Sequence, residues 1–386
     1  MFSPARSSAP IAPNARGGAL DALRFVAAMF VVVFHFGDEA PIALVSMHDF
    51  LGRGYLATDF FLMLSGFVLA KAYGAAVVSG KVSLGRFWSK RFVRCYPTHI
   101  ITLAMLVAMI GVGLMLGIHS SEPHRYDFSG LPAQILLLHA FGIGAGQWNM
   151  PSWTISALLI CYAFFPMLWA RMLRLAQPAS ALAVGLIIIV LSDLISLRLL
   201  GVEQFAIGFQ WTFFRAAPLF LVGLTLARAV QSANWSAAQA RTLGFTGGAV
   251  LLVNALFAGP DLFSILAICA IIMGCGASPV TRALPGAAWG AKVSFSLFMV
   301  HTITGALWFD GIEPLLARLH PAVESVSWEA WAMWAGSLAF TVAAAAAYCR
   351  WVDEPIVAWL NKRLFTRPEV AVSARPDPRP VAEPSA

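Results

Sequence analysis

The sequence predicts an all-α integral membrane protein, a bundle of about ten transmembrane helices with both the N- and C-termini cytoplasmic. Three observations lead to that fold class. First, 59% of the 386 residues are hydrophobic and only 12% are Asp, Glu, Lys or Arg, where a soluble domain carries about 25% charged residues. A soluble core of this size cannot absorb so much apolar surface, so the excess faces lipid. Second, the apolar residues are gathered into stretches near the roughly 20 residues that a spanning helix requires. Third, the charges between those stretches alternate in sign from loop to loop, which orients the chain.

The first stretch, 18–37, follows a Pro-, Ala-, Ser- and Arg-rich segment, residues 1–17, read as a cytoplasmic tail. It ends at Phe34-His35-Phe36-Gly37 with no small-x-small cleavage pattern, so a retained helix is expected and not an export signal. Further spans are expected at 55–73, 98–118, 152–171, 180–200, 206–228, 242–258, 261–277, 291–309 and 331–351. The seventh and eighth are short and joined by Gly259-Pro260. Residues 133–143 are apolar but too short to cross, and suit a re-entrant or interfacial piece. Residues 18–365 thus form one transmembrane domain. Residues 366–386, Pro-rich and polar, read as a disordered cytoplasmic tail.

The net charge of +7 does not point to nucleic acid, because the basic residues fall between apolar spans. Lys71, Lys81, Arg86, Lys90, Arg91 and Arg94 follow the second span with no acid between Lys71 and Pro97. The next loops on that side carry Arg171 and Arg174, then Arg228 and Arg241, then Arg282 and Lys292. The opposite loops hold Asp38, Glu39, Asp49, Glu122, Asp127, Glu203, Asp261, Asp310, Glu313 and Glu324, with few basic residues, Arg53 among them. One orientation satisfies every loop and requires an even number of spans. The five cysteines lie in or beside apolar spans without metal-binding spacing, as small buried hydrophobes do; no metal site is expected.

Ionisable residues inside a bilayer are functional candidates by default. Arg24 and His35 lie eleven residues apart in the first span, so they share one helix face, separated by roughly 16 Å along the axis. Arg24 alone suits a side chain snorkelling to the inner interface, and His35 alone suits an interhelical hydrogen bond. In the second span Asp59 suits either orienting the His35 ring or lying among headgroups, and Ser65-Gly66 permits close helix approach. Arg91 and Arg94, one helical turn apart, suit a joint phosphate clamp; the basic run that holds them also suits orientation and attraction to anionic lipid. Arg215 and His301 fall in later spans, where structural interhelical bonding is the competing reading.

Taken together these residues resemble the membrane acyltransferase-3 family. Arg24 and His35 match its Arg and His separated by ten intervening residues in the first helix. Asp59 to Phe67 is similar to its Asp-x-Phe-Phe-x-x-Ser-Gly-Phe, with Leu62 in place of the second Phe. Arg91-Phe-Val-Arg94-Cys-Tyr96-Pro97 resembles its Arg-x-x-Arg-x-Tyr-Pro, and Pro151-Ser-Trp153-Thr-Ile-Ser156 its Trp-Ser-Leu-Ser, with Tyr162 and Pro166 in register. Leu158 stands where that segment usually has Glu. Arg215 with Phe220 and Gly223, Ser294-Phe-Ser296-Leu-Phe-Met-Val-His301, and Asp353-Glu354-Pro355 complete a set in the family's order.

The resemblance implies an O-acyltransferase of a bacterial-type inner (plasma) membrane. Its donor is acyl-CoA, usually acetyl-CoA, from the cytoplasm, and its acceptor a hydroxyl of a cell-surface or lipid-linked glycan. It assigns catalysis to His35, Asp59 and Arg24, with His35 as general base or transient acyl carrier. Coenzyme binding falls to Arg24, Lys90, Arg91, Arg94 and Tyr96, and substrate or tunnel lining to Ser65, Trp153, Arg215, His301 and Glu354. Membrane lipids are the other partners. Two competing readings are a secondary transporter of a polar metabolite or lipid-linked sugar, and a non-catalytic relative, for which Leu158 is the best argument.

Overall fold

The computed structural model describes residues 17–117, 123–144, 147–208, 211–278, 280, 283–319 and 326–365. The expected tails lie outside these residues, Gly17 excepted. The described residues are overwhelmingly helical and contain no strand. In chain order the helices are α1 (Ala19–His35), α2 (Leu44–Met47), α3 (Tyr55–Val78), α4 (Leu84–Met115) and α5 (Leu131–Ile135). Then come α6 (Ser152–Met172), α7 (Pro178–Leu200), α8 (Thr212–Gln231), α9 (Ala237–Leu256) and α10 (Asp261–Ala277). The last are α11 (Ala287–Leu307), α12 (Glu313–Leu319), α13 (Trp328–Tyr348) and α14 (Glu354–Phe365). A π-turn at Trp308–Ile312 joins α11 to α12, and another at Cys349–Asp353 joins α13 to α14.

The all-α membrane class is borne out, and each expected span coincides with a helix. Seven helical segments are long and apolar enough to cross a bilayer. The helices at α1, α9 and α10 fall short of that standard: α1 and α10 have 17 residues each, and α9 begins with the polar run Ala-Ala-Gln-Ala-Arg. The basic segment expected as a loop at 71–97 is almost entirely helical. Lys71 lies on α3, and Arg86 to Pro97 form the first half of the 32-residue α4, which Ser83 starts by accepting a hydrogen bond from the Arg86 N–H. The short apolar piece at 133–143 breaks into α5 and a 3-10 turn with Gln134 and Ala140 buried, so it folds among the helices without crossing.

The bundle is organised around α3 and α8. Both are buried on several faces, α8 against α3, α6, α7 and α10. At their crossing Gly66 lies on the Phe220 carbonyl and Gly223 on the Met63 carbonyl, and a Cβ at either position would strike that oxygen. Small residues at such a contact let the backbones approach, the main source of helix association where lipid is as apolar as the side chains. Elsewhere α1 packs on α11, α11 on α13, and α9 with α10 forms an outer hairpin.

The two ends of the bundle differ chemically. One end, here the arginine end, gathers Gly17, whose carbonyl accepts from the Leu284 N–H, and Lys71, which donates to the Gly276 carbonyl at 2.7 Å. Arg86 and Lys90 stand beside the Phe365 ring there. At the other end Arg53 donates to the Gly259 and Ala258 carbonyls and pairs with Asp261 at 3.1 Å. This tie holds the α9–α10 turn against the start of α3, which accounts for a basic residue in a loop otherwise dominated by acids.

The crossing supplies a stability prediction. Replacing Gly66 or Gly223 with Leu forces α3 and α8 apart and is expected to cost about 1–3 kcal/mol or more by overpacking. Thermal unfolding in detergent, compared with a lipid-facing control such as Ile187→Leu, measures the effect.

Candidate active site

Two cavities lie inside the bundle, one above the other along α1 and α11. The cavity toward the arginine end has a volume of about 380 Å³ and is lined by Arg24, Arg91, Arg94, Tyr73, Ser65 and Leu158 among others. The other, of about 200 Å³, is lined by His35, His301, Tyr55, Thr58, Trp153 and Arg215 among others. Phe298 lines both. The shared helix face expected of Arg24 and His35 thus places one residue in each cavity.

In the histidine cavity His35 keeps an exposed ring, while His301 is fully enclosed. The two imidazoles stack with centroids 5.1 Å apart and planes 24° apart. Nδ1 of His301 lies 2.8 Å from the Phe298 carbonyl, which can only accept, so Nδ1 carries a proton. Its Nε2 is buried without a hydrogen-bond partner. His301 therefore forms a fixed wall against the His35 ring, and His35 is the imidazole that a substrate can touch.

Asp59 does not orient His35. Both of its carboxylate oxygens accept from Arg215, Nε and Nη2 at 2.9 Å each, and the carboxylate is wholly sealed from water. The reason is electrostatic: a bare carboxylate in this interior is prohibitive, and a guanidinium on the facing helix offers two charge-assisted bonds where a neutral imidazole offers one. Arg215 Nη2 also reaches the Tyr55 carbonyl at 3.4 Å. Beyond this end of the bundle, burial and the neighbouring Asp310 and Asp38 hold the Glu39 carboxyl above the ordinary carboxylate range.

In the arginine cavity the expected clamp is divided. Arg94 donates through Nη1 to both oxygens of Asp353, at 2.9 and 3.1 Å, and stacks on Phe295 at 4.7 Å. Asp353 accepts a further 2.6 Å bond from Thr98. Arg91 donates to the Tyr73 hydroxyl at 2.8 Å and lies over that ring. Among the described residues no carboxylate joins the lining, and Leu158 contributes an apolar surface. Ser65 lines this cavity but donates to the Phe61 carbonyl at 2.8 Å, the bond of a helix-packing serine.

Three expected lining or binding residues stand apart from both cavities. Glu354 pairs with Lys292 at 2.7 Å near the surface; its neighbour Asp353 is the one that turns inward. Tyr96 stacks on Phe92 and donates to the Ile135 carbonyl at 3.2 Å. Lys90 stays beside Phe365 at the arginine end. Residues not singled out from sequence are Tyr73, Phe298 and Asn149. Asn149 bonds Thr102, the Met299 carbonyl and Thr302 at 2.8, 3.2 and 3.0 Å, fixing the backbone beside Met150 and Pro151 of the cavity wall.

The buried pair yields a test that separates charge from shape. Asp59→Asn keeps the volume but leaves Arg215 as an uncompensated cation, at an expected cost of about 3–5 kcal/mol. The double variant Asp59→Asn with Arg215→Met is expected to recover much of that stability. Thermal unfolding of both proteins in the same detergent checks the difference.

Comparison with known proteins identifies the family. The family described as "Acyltransferase domain" matches residues 18–350, nearly the whole described bundle. "Protein 2 in picA locus" of Rhizobium radiobacter is 29% identical over 188 residues, covering 45% of this chain and 92% of that protein. "Acyltransferase MdmB" of Streptomyces mycarofaciens is 32% identical over 164 residues, covering 40% of this chain and 39% of that protein. No solved structure matches. With seven motifs in order and a family match across most of its length, this multi-pass membrane protein belongs to the acyltransferase-3 family and is an acyltransferase.

Proposed function

We propose that the protein transfers an acyl group, chiefly acetyl, from cytoplasmic acyl-CoA to a hydroxyl of a cell-surface or lipid-linked glycan. The carrying observation is the pair of cavities that share Phe298: the described lining of one holds three arginines and no carboxylate, and that of the other an imidazole open to substrate. A coenzyme with phosphates at one end and a thioester at the end of a long apolar arm matches that division. Arg24 and Arg91 hold phosphate oxygens in the arginine cavity, with Tyr73 fixing the Arg91 fork. Arg94, neutralised by Asp353, shapes the wall and adds little attraction. Lys90 raises the positive potential at the mouth.

The arginine end then faces the cytoplasm of a bacterial-type inner membrane, the orientation favoured by the positive loops. The acceptor enters the histidine cavity from the opposite side, where Tyr55 and Trp153 offer aromatic faces and Thr58 a hydroxyl, a lining suited to a sugar. His35 acts as general base. It takes the proton of the acceptor hydroxyl as the oxygen bonds to the thioester carbon, the carbon–sulfur bond breaks, and the CoA thiolate leaves and is protonated. Arg215, held by Asp59, faces the same cavity and stabilises negative charge on the carbonyl oxygen.

The test uses purified protein in lipid nanodiscs with radiolabelled acetyl-CoA and a glycan acceptor drawn from the host surface. His35→Ala is expected to lower kcat by about 10²–10⁴-fold. Arg91→Ala is expected to raise KM for acetyl-CoA with a smaller change in kcat. Transfer by His35→Ala at the wild-type rate would overturn the assignment. Mass spectrometry of surface glycans from cells with and without the gene identifies the acceptor by its lost ester.

A further inference from the structure

Phe298 is common to the linings of the two cavities and is only 8% exposed. Its ring packs against Phe61, a residue of the arginine cavity, with centroids 6.0 Å apart, and against the His301 ring at 6.1 Å. The side chain therefore stands between the chamber that suits the coenzyme and the chamber that holds His35. The backbone of the same residue has a separate task, accepting the Nδ1 proton of His301 at 2.8 Å. Side chain and carbonyl are separable by mutation, because every replacement keeps the carbonyl.

We propose that the Phe298 ring is the partition that the acyl end of the thioester must pass, and that its bulk restricts the donor to short acyl groups. The inference rests on the reading that acyl-CoA occupies the arginine cavity. For the reaction to occur, the carbonyl carbon has to come within reach of His35 while the phosphates stay among the arginines. The acyl chain beyond that carbon must then share the histidine cavity, about 200 Å³ in all, with the acceptor hydroxyl. An acetyl methyl adds little to that load. A butyryl chain adds two methylenes in the region that Phe298, Val31, Phe34 and Trp153 already crowd. Pockets of this kind discriminate by about 10–200-fold per methylene. The bond changes are those of the acyl transfer itself: oxygen to carbon forms, carbon to sulfur breaks, and the hydroxyl proton leaves through His35.

The experiment compares kcat/KM for acetyl-, propionyl- and butyryl-CoA in nanodiscs with the same glycan acceptor, for wild type, Phe298→Leu and Phe298→Ala. The expected result is a steep fall with chain length in wild type, and a butyryl-to-acetyl ratio at least about tenfold higher in Phe298→Ala, with Phe298→Leu between. Acetyl transfer should change less than the ratio, since the His301 hydrogen bond survives. If the wild type turns over acetyl-CoA and both variants, with wild-type unfolding temperatures, keep its chain-length profile, the partition is wrong while the donor reading stands. If Phe298→Ala does not fold, an unchanged profile in Phe298→Leu is enough to overturn the proposal. Absence of turnover with every acyl-CoA in wild type overturns the donor reading and the partition together.

Discussion

A carboxylate sealed from water needs a cation, and in this bundle that requirement joins the two central helices. Asp59 on α3 and Arg215 on α8 meet through two 2.9 Å bonds, made possible because Gly66 and Gly223 let the helix backbones touch about two turns away. Neither feature is stable alone. Without the close crossing the guanidinium does not reach, and without the guanidinium the carboxylate cannot remain in an apolar interior. Tyr55 extends the arrangement: its carbonyl accepts from Arg215 and its hydroxyl donates to Asp261 at 2.6 Å, tying the pair to the α9–α10 hairpin. The floor of the histidine cavity is thus set by electrostatics as much as by packing.

The same accounting separates structural from available charge. Arg215 is matched by Asp59, Arg94 by Asp353 and Arg53 by Asp261. In the arginine cavity Arg91 contacts a phenol and an aromatic face, and no carboxylate joins the lining among the described residues. A chamber built this way is electropositive in a low-dielectric wall, where attraction for an anion is strongest. The opposite chamber contains aromatic surface, a hydroxyl, a paired arginine and an accessible imidazole. Phe298 lines both, so one α11 helix carries the residue common to the two chambers and, one turn later, the imidazole that backs His35.

Much of this was legible in the sequence. The expected spans coincide with helices because apolar length is a direct consequence of bilayer thickness, and the common face of Arg24 and His35 follows from helical period alone. Gly66 was visible as a small residue that permits close helix approach, and Gly223 only as part of a family motif. What sequence did not supply depends on contacts between distant segments. Asp59 reads from sequence as orienting His35 or lying among headgroups, yet its partner lies 156 residues away. The inward carboxylate of Asp353-Glu354-Pro355 depends on helical phase, and the π-turn at Cys349–Asp353 shifts that phase: Asp353 turns to Arg94, and Glu354 to Lys292. Phe298 carries no signal at all, being one apolar residue in an apolar helix whose position matters only because cavities open on both sides.

The central claim is that a donor held among arginines presents its thioester across the Phe298 ring to His35. The most direct measurement is a cryo-electron microscopy structure of the protein in nanodiscs with a non-transferable acetyl-CoA analogue in which a methylene replaces the thioester sulfur. The account predicts phosphate density between Arg24 and Arg91 and the acetyl carbonyl beyond Phe298, facing the His35 ring. Coenzyme density outside the arginine cavity, or an acyl end directed into lipid, would contradict it.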